Sequence, residues 1–212
     1  RRYLIIEFYF GLFHALYENN AVFPLFIFDI NFLSELPKDD ARVTFISHLL
    51  EKMHAELQNH QKSLAVFYDE PEAVFTKLIK ENKITAVYTN HDYEPYAGKR
   101  DAEIEKLLQQ QNIAFKTFKD QVIFEKSEIT KDDGKPYVVY TPYANKWKLK
   151  FNESPLILYK SEDLLHNIAN HQYTFLDLKA IGFKKSAIAI PDFDISKNLI
   201  DGYEATRNFL IE

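Results

Sequence analysis

The chain contains no cysteine, which removes disulfides, thiolate metal sites and a cysteine nucleophile together. Its five glycines stand at 11, 98, 134, 182 and 202, never closer than twenty residues. Neither G-x-G-x-x-G nor G-x-x-x-x-G-K-[ST] can be assembled from them, so any nucleotide-like ligand is held without a glycine cradle. G-x-S-x-G is missing too, and with it an α/β-hydrolase serine. No window offers the roughly 18 consecutive apolar residues of a membrane helix. Tyr3–Phe10 is apolar but short, Glu7 interrupts it, and it lacks the cleavage pattern of a signal peptide. Basic residues are outnumbered, with Lys+Arg 26 against Asp+Glu 31 and a net charge of −5, which argues against a dedicated binder of phosphate backbones. The chain opens on Arg1-Arg2 rather than Met and has a single tryptophan, so it reads as a fragment. No membrane and no metal are expected, and a cytoplasmic location is the default.

What is present is ample material for a core. The 212 residues are 46% hydrophobic and 27% charged, the balance of one good-sized globular domain or a domain with an appendage. Ala21–Asp29 is a nearly continuous apolar run ending in an acid, as a buried parallel strand does. Asp39 or Asp40 caps a helix in which Val43, Ile46, Leu49, Leu50, Met53 and Leu57 recur at helical spacing. Leu64–Tyr68 is a second strand, and Asp69-Glu70-Pro71 starts a short helix with Val74, Phe75, Leu78 and Ile79 inward. Ile84–Thr89, a helix over Gly98–Gln111 and a strand over Ile113–Phe118 follow. This alternation predicts an α/β fold, a doubly wound, mostly parallel sheet with helices on both faces. After residue 120 the rhythm fails. Lys131–Pro136 is a turn signal, Thr141–Phe151 one further helix, and Asn152–Asp201 has few periodic stretches. That last region reads as a connector draped over a surface, with Tyr203–Glu212 a helix just begun. The expected division is 1–150 for the α/β domain and 151–212 for the connector.

Seven histidines raise the question of a metal. His48, His54 and His60 are six apart, about 240° round a helix from one another and off a common face. H-E-x-x-H is absent, and the histidines read as surface or partly buried side chains. The segment richest in chemistry is Asn90-His91-Asp92-Tyr93-Glu94-Pro95-Tyr96-Ala97-Gly98-Lys99-Arg100-Asp101. It follows the third strand at the carboxyl edge, where open parallel sheets bind ligands. Local chemistry alone favours the plainer reading, a polar loop with Asp92 or Glu94 near a helix start and Lys99-Arg100-Asp101 as solvated helix charge.

Read as N-H-D-Y-E-P-Y-A-G-K-R-D, that segment resembles the N-R-D-Y-E-P-Y-A-x-x-R-D stretch of the DNA photolyase/cryptochrome family. Leu25–Asp29, Asp40-Ala41-Arg42, Gln121–Glu125 and the run from Gly134 to Tyr143 closing with Trp147 resemble further family stretches in the right order. Tyr203–Leu210 resembles the lead-in to the family's second domain. The resemblance covers roughly residues 11–150 and implies the N-terminal antenna domain of a deoxyribodipyrimidine photolyase. It further implies that the full-length protein repairs pyrimidine dimers in damaged DNA with light and FAD. The FAD would be held in a helical C-terminal domain outside this chain, so this fragment alone is expected to be inactive and to hold no catalytic residue.

Two departures qualify the resemblance. Where the family reads D-L-R-L-x-D-N after the paired arginines, this chain reads Tyr3-Leu4-Ile5-Ile6-Glu7-Phe8-Tyr9. The family's first strand normally precedes that point, and Tyr3–Phe10 is either an apolar replacement for it or a packed loop. Folate-binding members carry Asn-Glu just after the Y-E of the loop, where Tyr96 and Ala97 stand. A deazaflavin or flavin antenna is therefore favoured over folate, and the positions carried over for it are Asp29, Arg42, Asp92 and Glu94. Each has a plainer reading as well: Asp29 as a turn cap, Arg42 as a partner of Asp39. The alternatives for the whole are a cryptochrome-type blue-light receptor, a nucleotide-binding stress-type α/β module and a scaffold that binds no small molecule.

Overall fold

A computed structural model describes residues 10–153 and 159–188. The expectations for Tyr3–Tyr9 and for Tyr203–Glu212 lie outside the described residues. Phe10 itself is helical and belongs to α1 (Phe10–Glu18). The periodicity did not announce α1. Its residues FGLFHALYE are apolar nearly all round, and the sequence just ahead of them, Phe8-Tyr9, holds no N-cap residue type to mark a start.

The expected alternation follows. Strand β1 (Leu25–Asp29) runs into a single helical turn, α2 (Ile30–Leu33). Asp29 caps that turn, its Oδ1 accepting from Asn31 N at 3.0 Å. Helix α3 (Ala41–Asn59) is capped by Asp40, whose Oδ1 accepts from Arg42 N at 2.8 Å. Strand β2 (Ala65–Asp69) leads to α4 (Pro71–Glu81), with proline pre-set for the first turn. Strand β3 (Ala86–Asn90) leads to α5 (Pro95–Gln110), which starts three residues before the expected Gly98 because Pro95 serves the same purpose. Strand β4 (Ala114–Phe118) and, after a long irregular stretch, α6 (Tyr140–Glu153) complete the regular elements. Helices α3 and α5 both stop on non-glycine residues in the left-handed region, Gln61 (φ 59°) and Asn112 (φ 56°).

Both strand pairs are parallel, as expected. β1 lies on β2 with Leu25 beside Ala65, and β3 on β4 with Ala86 beside Ala114. Among the described residues these are two separate two-stranded sheets, not one continuous sheet. Helices still cover two faces. On one, α1 and α3 bury Leu16, Val43, Leu50 and Leu57 against Phe28 and Val66. On the other, α4 and α5 place Phe75, Ile104 and Leu108 against Leu25, Ile27, Val87 and Phe115. The alternation of Phe26 and Phe28 toward one face and Leu25 and Ile27 toward the other is the period of two built into a strand.

Residues 159–188 are not an idle surface strap. A 3₁₀ helix (Ser161–Asn167) is followed by an isolated parallel bridge of Ile168 to Val22. Leu165, Ile168, Ile181 and Phe183 are buried in the same core as Leu16 and Phe28. Lys62 Nζ bonds Ile168 O, Ser63 Oγ donates to His171 O at 2.6 Å, and Asn167 Nδ2 donates to Leu16 O at 3.0 Å. The surface this segment covers is that of the domain itself. It escaped notice in the sequence because irregular backbone pinned by such bonds leaves no period. By contrast, none of α6 is buried, and the Trp147 ring meets Phe124 edge-on and stacks on Phe151.

Candidate functional site

The carboxyl ends of β1 and β3 lie at one edge, where the turn after β1 meets the loop after β3. Asp29 ends β1 and turns the chain into α2. Its second oxygen, Oδ2, accepts from Tyr96 OH at 2.6 Å. Tyr96 is the second residue of α5, so one hydrogen bond ties the β1 end to the loop after β3. Burial and then the Asp29 carboxylate raise the Tyr96 hydroxyl above its ordinary range. The phenol therefore stays protonated and keeps donating. In that loop Asp92 Oδ1 accepts from Glu94 N at 3.2 Å, and Glu94 occupies the position before α5 without a side-chain cap bond.

Arg42 is placed differently. It points to solvent from the first turn of α3 and is held by Asp40, not Asp39, through Nε to Oδ1 at 3.0 Å and Nη2 to Oδ2 at 2.7 Å. The guanidinium holds the Asp40 carboxyl down at about 2. Of the four expected positions, Asp29, Asp92 and Glu94 thus cluster through Tyr96 and the loop after β3. Arg42 is occupied by its neighbour.

Several further residues at this edge, some of them within the segment Asn90–Asp101, were given no site role in the sequence. Asn90 is fully buried, and its Oδ1 accepts from Gly11 N at 2.8 Å. Gly11 is needed here, since a Cβ would stand 2.8 Å from Asn90 Oδ1 and 3.4 Å from the Thr89 carbonyl carbon. His91 Nδ1 bonds Glu125 Oε1, and its Nε2 lies 2.9 Å from Thr117 Oγ1. Tyr93 OH donates to the same Glu125 oxygen at 2.6 Å. Burial alone would raise the Glu125 carboxyl, but the bonds from His91 and Tyr93 outweigh it and hold it below its ordinary value. Burial and then Glu125 push Tyr93 far up. Glu125 N in turn donates to Glu128 Oε2 at 2.7 Å, and Lys119 grips Glu128. This network pins the stretch 119–128 beside the loop after β3. The signal that would have found it is the polar density of His91–Tyr93, but the partner over 30 residues away has no spacing to betray it.

The sequence model of the DNA photolyase family matches residues 10–160. A deoxyribodipyrimidine photo-lyase of Synechococcus is 26% identical over 146 residues, covering 69% of this chain and 30% of that relative. Among solved structures, an archaeal photolyase from Sulfolobus tokodaii, with two FAD molecules and the implication of a novel light-harvesting cofactor, superimposes with a TM-score of 0.56. It is 34% identical and covers 62% of this chain and 30% of its own. A bacterial class III photolyase from Agrobacterium tumefaciens gives a TM-score of 0.65 over 87% of this chain and 35% of its own, at 20% identity, which speaks for the fold alone. The chain thus spans about a third of the length of these relatives.

Proposed function

The chain belongs to the DNA photolyase family, and from that premise we propose that it is the antenna half of a light-driven deoxyribodipyrimidine photolyase. The full-length protein would split pyrimidine dimers in damaged DNA, using FAD held by a helical domain that follows this one. The observation that carries the antenna reading is the Asp29–Tyr96 bond. It joins the ends of β1 and of the loop after β3 into one polar rim at the edge where doubly wound sheets hold ligands.

The residues present fit a flavin-like ring better than a folate. A flavin or deazaflavin offers an imide N–H, and Asp29 offers a carboxylate to accept from it once Tyr96 yields. Asp92 and Glu94 add acceptors on the same loop. A pterin would want the glutamate that some relatives place where Ala97 stands, and Ala97 is buried and apolar. When bound, an antenna chromophore collects light and passes the excitation to the catalytic flavin. This chain's share is to hold and orient that group. Arg42, if released from Asp40, would offer its guanidinium to an acidic tail.

Two titrations test this. The isolated chain mixed with FAD or FMN should quench flavin fluorescence saturably, and Asp29→Asn should weaken binding about tenfold, the loss of one charge-assisted hydrogen bond. A folate that bound tighter than either flavin would reverse the antenna assignment. For the whole protein, illumination of a dimer-bearing oligonucleotide should restore intact pyrimidines. A lesion left unrepaired would turn the reading toward a cryptochrome-type receptor.

A further inference from the structure

Two donors arrive on one oxygen of Glu125. Tyr93 OH donates to its Oε1 at 2.6 Å, and His91 Nδ1 meets the same atom. Despite burial these bonds hold the carboxyl below its ordinary value. It is therefore an anion at neutral pH, and His91 Nδ1 must carry a hydrogen toward it. On the other side of the ring, Nε2 lies 2.9 Å from Thr117 Oγ1. A hydroxyl both donates and accepts. It donates to Nε2 when the ring is neutral and, turned about its C–O bond, accepts from Nε2–H when the ring is charged. Both ring nitrogens are thus paired in either state. The side chains of His91 and Glu125 are 34% and 23% exposed, enough for protons to exchange with solvent.

The charges around this pair leave it to itself. Among the described residues no lysine or arginine pairs with Glu125. Lys119 and Lys150 both reach Glu128 instead, at 2.9 and 3.8 Å. The loop itself brings Asp92 and Tyr93, and β4 brings Thr117, with Lys119 and Asp120 just past its end. Helix α1 brings His14, stacked on Phe118 at 4.4 Å. The positive charge that Glu125 meets is therefore His91's to give or withhold. The family stretch N-R-D-Y has arginine here, a charge that never leaves. This chain has histidine, the side-chain type whose charge changes between about pH 5 and 8.

We propose that His91 and Glu125 form a proton-operated tie between the loop after β3 and the stretch 119–128, with His91 Nε2 as the atom that gains and loses the proton and Thr117 as its two-way partner. With the ring charged, the bond to Glu125 is made between two ions. With the ring neutral, the same geometry rests on a neutral donor and the tie slackens. Glu125 stays ionised on the acid side of neutrality, so the tie is tightest there and weakens as the pH rises through the imidazole range. The loop it steadies carries Asp92 and Glu94 and leads into Tyr96, so one proton sets how firmly the rim is held. His91 acts here as a positioning residue. The inference rests on these contacts and holds whatever the rim binds.

Nitrogen NMR of the histidine rings on the 212-residue chain tests it. Through a titration across neutrality, His91 Nδ1 should stay protonated while Nε2 titrates. Amide exchange reads the consequence at His91, Glu125 and Glu128, whose N–H groups bond Phe118 O, Glu128 Oε2 and Glu125 O. Their protection, corrected for the intrinsic rate, should be about threefold higher at pH 6 than at pH 8. His91→Arg should keep protection high at both pH values, and His91→Gln should keep it low at both. His14→Gln should leave the ratio in place. A neutral His91 ring protonated on Nε2 would overturn the proposal. So would equal protection at pH 6 and pH 8 in the wild type, or a ratio that survived His91→Gln.

Discussion

Among the described residues, twelve buried apolar side chains pack together in one half of the molecule, on the face covered by α1 and α3, against four in the other half, on the face covered by α4 and α5. The first half is roofed by α3, by the 3₁₀ helix and by the irregular run through Phe183. The second is thinly covered. Two of the five β4 residues, Ala114 and Thr117, are exposed, and its outer rim is a web of polar and aromatic contacts. Glu18, Tyr88 and Lys116 meet there, His14 stacks on Phe118 at 4.4 Å, and His91, Tyr93 and Glu125 lock the neighbouring loop. The difference teaches a division of labour. Apolar burial supplies the stability on one side, while the other trades core for polar groups that shape the loop after β3.

That contrast can be broken or sharpened by substitution. The largest effect is expected from Leu50→Ala, which empties a fully buried site in the deep core and should cost about 3–5 kcal/mol in urea unfolding. Leu108→Ala, equally buried in the shallow half, should cost nearer 2–3 kcal/mol because neighbours there can settle into the gap. Equal costs would erase the distinction. Gly11→Ala comes next, at roughly 1–3 kcal/mol, since α1 must back away from Asn90 and Thr89. The loss should show as faster amide exchange in β3 rather than β2.

A smaller effect concerns Asp40. Its folded carboxyl, at about 2, lies below the unfolded value of 3.8. The stability it contributes is therefore present above pH 4 and lost as the pH falls toward 2. Asp40→Asn keeps the helix cap but drops the pairing with exposed Arg42. It should cost roughly 0.5 kcal/mol at pH 7, and the gap from wild type should close on acid titration. A gap that persisted at pH 2 would show the charge to be irrelevant. Least of all, Tyr96→Phe should cost under about 1 kcal/mol, removing one hydrogen bond at the rim. It should, however, free Asp29, so flavin binding should strengthen while melting hardly moves.

Much of the layout was legible because strands and helices here announce themselves. LFIFD, AVFYD and AVYTN each close an apolar run with a polar side chain at the same edge, and Asp40 and Pro71 mark helix starts that the structure keeps. What was illegible depends on distance in the chain. Tyr96 reaches Asp29 across 67 residues, and His91 reaches Glu125 across 34; neither has a period. The irregular residues around Leu165 and Ile181 could not be told from a passive connector, since burial without periodicity leaves no trace in sequence. The plainer reading of Arg42 paired it with Asp39, and the helix turn gave it Asp40 instead. The positions proposed for an antenna, Asp29, Asp92 and Glu94, were nameable only through the family pattern.

The two left-handed helix ends have a practical side. Gln61 and Asn112 adopt a backbone shape that costs any residue with a Cβ something on the order of 1 kcal/mol, in a chain unusually sparing with glycine. Each sits at a helix stop away from the carboxyl-edge rim, with Lys62 N bonded back to Leu57 O and Ile113 N to Leu108 O. These turns are therefore reserves of unclaimed thermal tolerance. An engineer seeking a hardier version of this domain would start at the helix ends and leave the rim alone.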